Sequence, residues 1–337
     1  MSGVRIFKQQ QSLTPIMSFE NFASLPLELQ IKIWQTYTHP GPAMHIFDAC
    51  YSSWKGDDRI KVAFKTLRND EKGEEKFKEY KKKVFLDRMD TIDREAVFDP
   101  SMYYATAISK LVSRLTEQTI RETEARQGMN EVCLPGRGQK ILIPASDVFM
   151  LRLRQDPFDH YNLATETLLC PPPIKEILEN QWSPELASAL RGAKKIAIDV
   201  SETWATGLYG ELGLEEIAFF ACTIQKDLEV LYLVDECTGR CKQCGRQNIK
   251  REDIQQRDAL WKGLRTKNTD DQDRPRDIIN AVSRRYVEAT NLAALGWEED
   301  HPSYLFACMI DTAIKTQQEG KDRGKFQGVR VLVVEDD

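Results

Sequence analysis

Several features that would assign this sequence to a known class of protein are missing from it. No apolar stretch near residue 1 has the length that a secretory signal needs, and the longest apolar run, around residues 217 to 224, is far too short to span a bilayer. The sequence therefore predicts a protein of the cytoplasm or nucleus with no membrane partner. Thiols stay reduced in those compartments, so disulfides are not expected.

Catalytic motifs and an excess of one charge sign are absent as well. The four histidines form no H-E-x-x-H pattern, and there is no nucleophile elbow, phosphate-binding glycine loop or dinucleotide fingerprint. A net charge of −5 argues against a general attraction to nucleic acid. These absences favour a protein that binds another protein over an enzyme.

The apolar pattern predicts an α/β fold. Residues 194–200 and 228–235 are two short apolar runs separated by a helical segment at 212–223, which is the pattern of a parallel βαβ unit. Further strands are predicted at 44–51, 139–143, 147–153 and 328–334, with a hairpin turn at 136–138. We therefore expect a mixed sheet covered by helices, with residues 237–244 inserted as a cysteine-bearing loop.

Helices are predicted at 100–126, 183–192, 252–264, 276–295 and 304–318, and a helix or loop at 69–84. Ser183-Pro184 has the form of a helix cap followed by a first turn. Residues 1–17 are polar and unpatterned, which predicts a disordered tail. Residues 18–337 are expected to form one composite domain, with a possible division into 18–170 and 171–337.

The first predicted helix carries apolar side chains on two rows. Leu25, Leu29 and Ile33 recur every four residues, and a second row contains Leu27, Ile31 and Trp34. An apolar surface this wide predicts a helix that is buried between layers of the fold.

The segment from Phe19 to Trp34, FENFASLPLELQIKIW, resembles the opening signature of the fungal two-EXR domain family. The segment at 144–149 and the strands ending at Val200 and Asp235 also resemble the layout of that family, although Gln30 stands where the family usually has Arg. The resemblance implies a fungal source and a domain without a settled biochemical role, and it carries over no catalytic residue. The same segment is similar to the start of an F-box, which would imply a ubiquitin-ligase adaptor.

Three cysteines, Cys237, Cys241 and Cys244, form the most specific chemical motif. The pair Cys241 and Cys244 has the spacing of a zinc knuckle, and a structural zinc would need a fourth ligand, for which His301 is the first candidate and Cys222 or Cys308 are others. Three ordinary thiols, or a redox role, remain the alternatives.

Asp199 and Asp235 each end a predicted parallel strand. Open α/β sheets bind ligands at the carboxyl ends of their strands, and carboxylate oxygens are the ligands that Mg²⁺ prefers. The alternative function is therefore a magnesium-dependent enzyme that uses these two carboxylates. The favoured function is an intracellular scaffold or protein-interaction protein, stabilised by structural zinc.

The cysteine motif generates the first prediction. Freshly reduced, purified protein is expected to contain zinc at a one-to-one ratio, and Cys241→Ser is expected to lose it, because three ligands bind zinc much more weakly than four. Elemental analysis of both proteins checks this. A wild-type sample without zinc would remove the proposed site.

Overall fold

A computed structural model describes the residues in 25–38, 41–50, 71–88, 101–103, 106, 114, 117–118, 120–122, 128–152, 178, 180–200, 214–235, 274–282, 284–289, 302–319 and 325–336. The helices are α1 (Leu27–Thr38), α2 (Glu71–Tyr80), α3 (Pro184–Gly192), α4 (Leu214–Ile224) and α5 (Pro302–Gln318). The first five strands are β1 (Met44–Cys50), β2 (Phe85–Arg88), β3 (Met129–Leu134), β4 (Gln139–Pro144) and β5 (Val148–Arg152). The others are β6 (Lys195–Asp199), β7 (Val230–Asp235), β8 (Ile278–Ala281), β9 (Arg284–Glu288) and β10 (Gly328–Asp336).

Eight strands form one mixed sheet in the order β2-β1-β5-β6-β7-β10-β9-β8. The five neighbours from β1 to β10 run parallel, and β2 and β9 pair antiparallel with the two ends of that run. The strands β6 and β7, joined through α4, are adjacent and parallel. The predicted α/β class, the mixed sheet and the βαβ unit are therefore confirmed. The hairpin of β3 and β4 forms a separate two-stranded sheet.

The large sheet curls until its last strand meets its second. Ala43, just before β1, forms a parallel bridge with Asn280 of β8, and the backbone N–H of Asn280 donates to the carbonyl of Pro42 at 2.9 Å. We call this junction between β1 and β8 the seam. Gly41, with φ of 124°, lies immediately before it in a conformation that favours glycine.

Both faces of the curled sheet are apolar because parallel strands are covered on two sides. Alternate residues of seven strands fill the concave side, which we call the interior cluster: Met44, Ile46, Val148, Met150, Ala197, Val230, Tyr232, Val234, Ile279, Tyr286 and Leu332. The intervening residues, such as Phe149, Ile198 and Leu233, pack on the convex side against α3, α4 and α5. The alternation assigns each strand residue to one face.

Two sequence predictions are wrong. Helix α1 is not buried between layers: its side chains Leu27, Leu29 and Ile33 are exposed, because no described helix or strand packs broadly against them. Residues 278–281 and 284–288 are strands and not part of a helix, because they pair with each other and the second of them also pairs with β10. The predicted helix at 252–264 lies outside the described residues.

The cap of α3 provides a test of the fold. The buried hydroxyl of Ser183 accepts a hydrogen bond from the N–H of Leu186 at 3.2 Å, and Pro184 begins the helix. Ser183→Ala is expected to lower the free energy of unfolding by about 1 kcal/mol, because a cap of this kind satisfies an otherwise unpaired donor. Urea denaturation measures this. Ser146→Ala, at an exposed position in the turn before β5, is the control, and an equal loss in the two variants would contradict the cap.

Candidate functional site

The carboxyl edge of the sheet is where a parallel α/β sheet would bind a ligand. Asp199 and Asp235 are the last residues of the adjacent strands β6 and β7, as the sequence predicted. Asp199 is partly exposed, and Asp235 is only 3% exposed. The structure therefore brings both residues to the same edge.

The two carboxylates nevertheless belong to opposite faces. Ile198 and Val200 pack on the convex, helix-covered side, so alternation turns Asp199 toward the concave side. Leu233 also packs on the convex side, so Asp235, two residues later, faces the helices. A magnesium ion shared by these two side chains has no support in this strand geometry.

An ion pair that the sequence did not reveal lies on the concave side of the same edge. Asp48 of β1 is opposite Arg152 of β5, and the Nε of Arg152 donates to Asp48 Oδ1 at 2.7 Å. Both side chains are buried: that of Asp48 is 0% exposed and that of Arg152 is 7% exposed. The next strand places Asp199 beside Arg152, because Leu151 is in register with Ile198. A row of charged residues, Asp48, Arg152 and Asp199, thus closes the carboxyl end of the apolar interior.

A second group of polar side chains lies at the start of β8. It contains four charged residues and one tyrosine, and we call it the interior ion cluster: Tyr232, Arg274, Asp277, Glu288 and Arg330. The Tyr232 hydroxyl donates to Asp277 Oδ2 at 2.7 Å, and Arg274 donates to Asp277 at 2.9 Å and to Glu288 at 2.5 Å. Arg330 of β10 also donates to Asp277. The cluster holds two positive and two negative side chains, so its charges balance.

The hydrogen bonds of this cluster shift the ionisation of Asp277. Burial raises the pKa of the Asp277 carboxyl, but the Tyr232 hydrogen bond and the charges of Arg330 and Arg274 outweigh burial, so the pKa lies below its ordinary value. Burial, together with the negative Asp277, raises the pKa of the Tyr232 phenol. Tyr232 therefore stays a hydrogen-bond donor and Asp277 a carboxylate at neutral pH.

A buried histidine lies at the opposite, amino edge of the sheet. His45 Nε2 is 2.9 Å from Asp147 Oδ2, and Asp147 Oδ1 accepts from the N–H of Ala43 at 3.2 Å. The other ring nitrogen of His45 is buried and has no hydrogen-bond partner among the described residues. The pair ties the start of β1 to the turn that precedes β5.

The predicted zinc ligands Cys237, Cys241, Cys244 and His301 lie outside the described residues, so the zinc site remains a prediction. The cysteines that the structure does describe, Cys50, Cys133, Cys222 and Cys308, form no disulfide with one another. Within the described ranges, no group of three or more His, Cys, Asp or Glu side chains is placed to hold a metal ion.

Helix α1 presents an apolar surface of a different kind. Leu27 is 56% exposed, Leu29 is 48% exposed and Ile33 is 37% exposed. At 3.6 residues per turn, Leu29 and Ile33 lie on one side of the helix, and Leu27 lies nearly opposite. Between the two rows, Glu28 and Lys32 form a polar strip.

Comparisons with known proteins supply no family for this chain: no family model, curated protein or solved structure matches it. The resemblance of residues 19–34 to the two-EXR signature therefore remains a hypothesis from the sequence. In the part of the chain that is described, no helix is long and apolar enough to cross a membrane.

The ion pair of Asp48 and Arg152 gives a stability prediction. Asp48→Leu is expected to lower the free energy of unfolding by up to about 3–5 kcal/mol, because the buried Arg152 would lose the carboxylate that accepts a hydrogen bond from its Nε. Adding Arg152→Met should recover most of that loss. Urea denaturation of the single and double variants checks the result.

The matched control for this pair is Lys140→Met, which removes the exposed contact with Glu131. Its effect should be below about 1 kcal/mol, because water screens exposed pairs. A double variant as unstable as Asp48→Leu alone would show that the charges of the pair are not what matters.

Asp277 gives a prediction for pH. Because the pKa of its carboxyl is lower in the folded than in the unfolded protein, its contribution to stability is complete above the unfolded value and is lost as pH falls through the folded value. Stability measured by urea denaturation between about pH 5 and about pH 2 should therefore fall less steeply in Asp277→Asn than in wild type. Glu335→Gln, in the exposed contact with Arg285, is the control, and identical slopes for Asp277→Asn and wild type would refute the assignment.

Proposed function

We propose that this protein acts by binding another protein, and that helix α1 enters an apolar groove of that partner. The observation that carries the proposal is the exposure of Leu27, Leu29 and Ile33 on one helix. Single exposed leucines are common on protein surfaces, and the exposure of three large apolar side chains on one helix supports an interaction site there.

The arrangement of these residues defines the shape of the partner surface. Apolar side chains lie on two sides of α1, so a flat surface would cover only one row. A groove that encloses the helix covers both rows and leaves the strip of Glu28 and Lys32 at its rim. The strip carries one negative and one positive side chain, so the rim of the groove needs no excess of either charge.

The rest of the described structure supports a scaffold more than an enzyme. The charged row at the carboxyl edge contains an Asp48 carboxylate that is already paired with Arg152, and Asp199 and Asp235 face opposite sides. A folded sheet domain whose chain also carries a helix with exposed apolar side chains is a suitable arrangement for recognition. An adaptor subunit of a ubiquitin ligase as the partner would favour the F-box-like alternative.

The test compares Leu29→Asp with Lys32→Gln on the same helix. Proteins that co-purify with wild type and with Lys32→Gln, but not with Leu29→Asp, are the candidates, and the binding constant of each is then measured with purified components. Leu29→Asp should weaken binding at least about 30-fold, because an interface residue of this type contributes about 2 kcal/mol or more.

Folding of the variants is checked separately by thermal denaturation. Both positions are exposed, so we expect little change in stability. A partner whose affinity is unchanged by Leu29→Asp would refute the role of α1. Concentration-dependent dimerisation that Leu29→Asp abolishes would show that a second copy of the chain, and not another protein, covers the helix.

A further inference from the structure

The seam between β1 and β8 is the weakest junction around the curled sheet. Each pair of neighbouring strands within the sheet is joined over at least three consecutive residue pairs. Among the described residues, the backbone pairing across the seam consists of one bridge, Ala43 with Asn280, and one hydrogen bond, from the Asn280 N–H to the Pro42 carbonyl. Backbone pairing therefore contributes much less to the junction of β1 with β8 than to the junctions between neighbouring strands within the sheet.

Apolar packing at β8 is also limited. Ile279 is 1% exposed and belongs to the interior cluster, whereas its neighbour Ile278 is 42% exposed. By contrast, β7 is buried at every position from Val230 to Asp235. A four-residue strand with one deeply buried apolar side chain contributes less apolar contact to the sheet than β7 does.

The interior ion cluster supplies the attachment that β8 otherwise lacks. Asp277 immediately precedes β8, and its carboxylate is bound by Tyr232 of β7 and by Arg330 of β10. Its backbone N–H also donates to Glu288 Oε2 at 3.1 Å. These contacts hold the first residue before β8 against strands in the middle of the sheet.

We propose that the curled sheet opens at the seam, with β8 separating from β1 while β9 stays paired with β10, and that the interior ion cluster is the latch that keeps the seam closed. Opening exposes the concave side of β1 near its start, where Met44 and Ile46 belong to the interior cluster. Opening of the seam controls access to the apolar interior of the sheet, and it does not involve helix α1.

Residue-resolved hydrogen exchange on the wild-type protein is the first test, because the Asn280 amide makes the seam bond itself. The Asn280 amide is expected to exchange at least about ten times faster than the amides of β7, since local opening needs less free energy than unfolding of the central strands. Equal protection at Asn280 and in β7 would overturn the proposal.

The latch is tested by comparing two changes that affect neighbouring strands. Asp277→Asn removes the charge to which Arg330 and Arg274 bind, and should speed exchange at residues 278–281 about tenfold or more without changing exchange at 195–199. Arg285→Met removes an exposed contact at 3.6 Å between β9 and β10, and should leave 278–281 unchanged. Faster exchange throughout the sheet in Asp277→Asn, no change in that variant, or an equal effect of Arg285→Met would each refute the latch.

Discussion

The structure depends on the curl of a sheet whose central strands are buried on both faces. Parallel strands need cover on two sides, and here three helices cover the convex side while the sheet covers its own concave side. This arrangement leaves the strands as almost continuous apolar runs, and it confines charge to the ends of the interior. The ion pair of Asp48 and Arg152 lies at one end, and the interior ion cluster lies at the start of β8.

Charges at these positions have a clear physical cost. A buried ion pair loses the solvation of both partners, and packed apolar residues in the same space are often at least as stable. Their contribution is to fix geometry. Arg152 pairs with one carboxylate in one orientation, and Asp277 binds groups from β7 and β10 at once. Directional contacts of this kind join particular strands at one register, in addition to the register that the alternation of apolar side chains already specifies.

Local patterns in the sequence predicted much of this fold. The centres of the runs that end at Asp199 and Asp235, residues 196–198 and 230–234, are apolar at every position, and strands buried on both faces have that composition. Residues 278–281 and 284–288 were misassigned because their apolar residues do not keep a clear strand alternation, and it is the pairing of β8 with β9 and of β9 with β10 that identifies them as strands. The partnership of Asp48 with Arg152 joins residues far apart in the chain, so it follows from strand order and not from spacing. The exposure of α1 likewise depends on which elements pack nearby. For the candidate site, the sequence placed Asp199 and Asp235 at the ends of their strands, but it did not show which face of the sheet each side chain lies on.

The position of β10 has a consequence for biosynthesis. This strand is the last of the sheet in chain order, yet it lies between β7 and β9. While a ribosome is still adding residues before Gly328, the earlier strands can assemble as far as β7, but the hairpin of β8 and β9 lacks β10, the strand that joins it to β7. Val230 and Leu231 would then border an unfilled edge, which is the kind of surface that chaperones recognise and that aggregates form on. The sheet can therefore be completed only after β10 has been translated, and until then the edge of β7 is open to pairing with other chains.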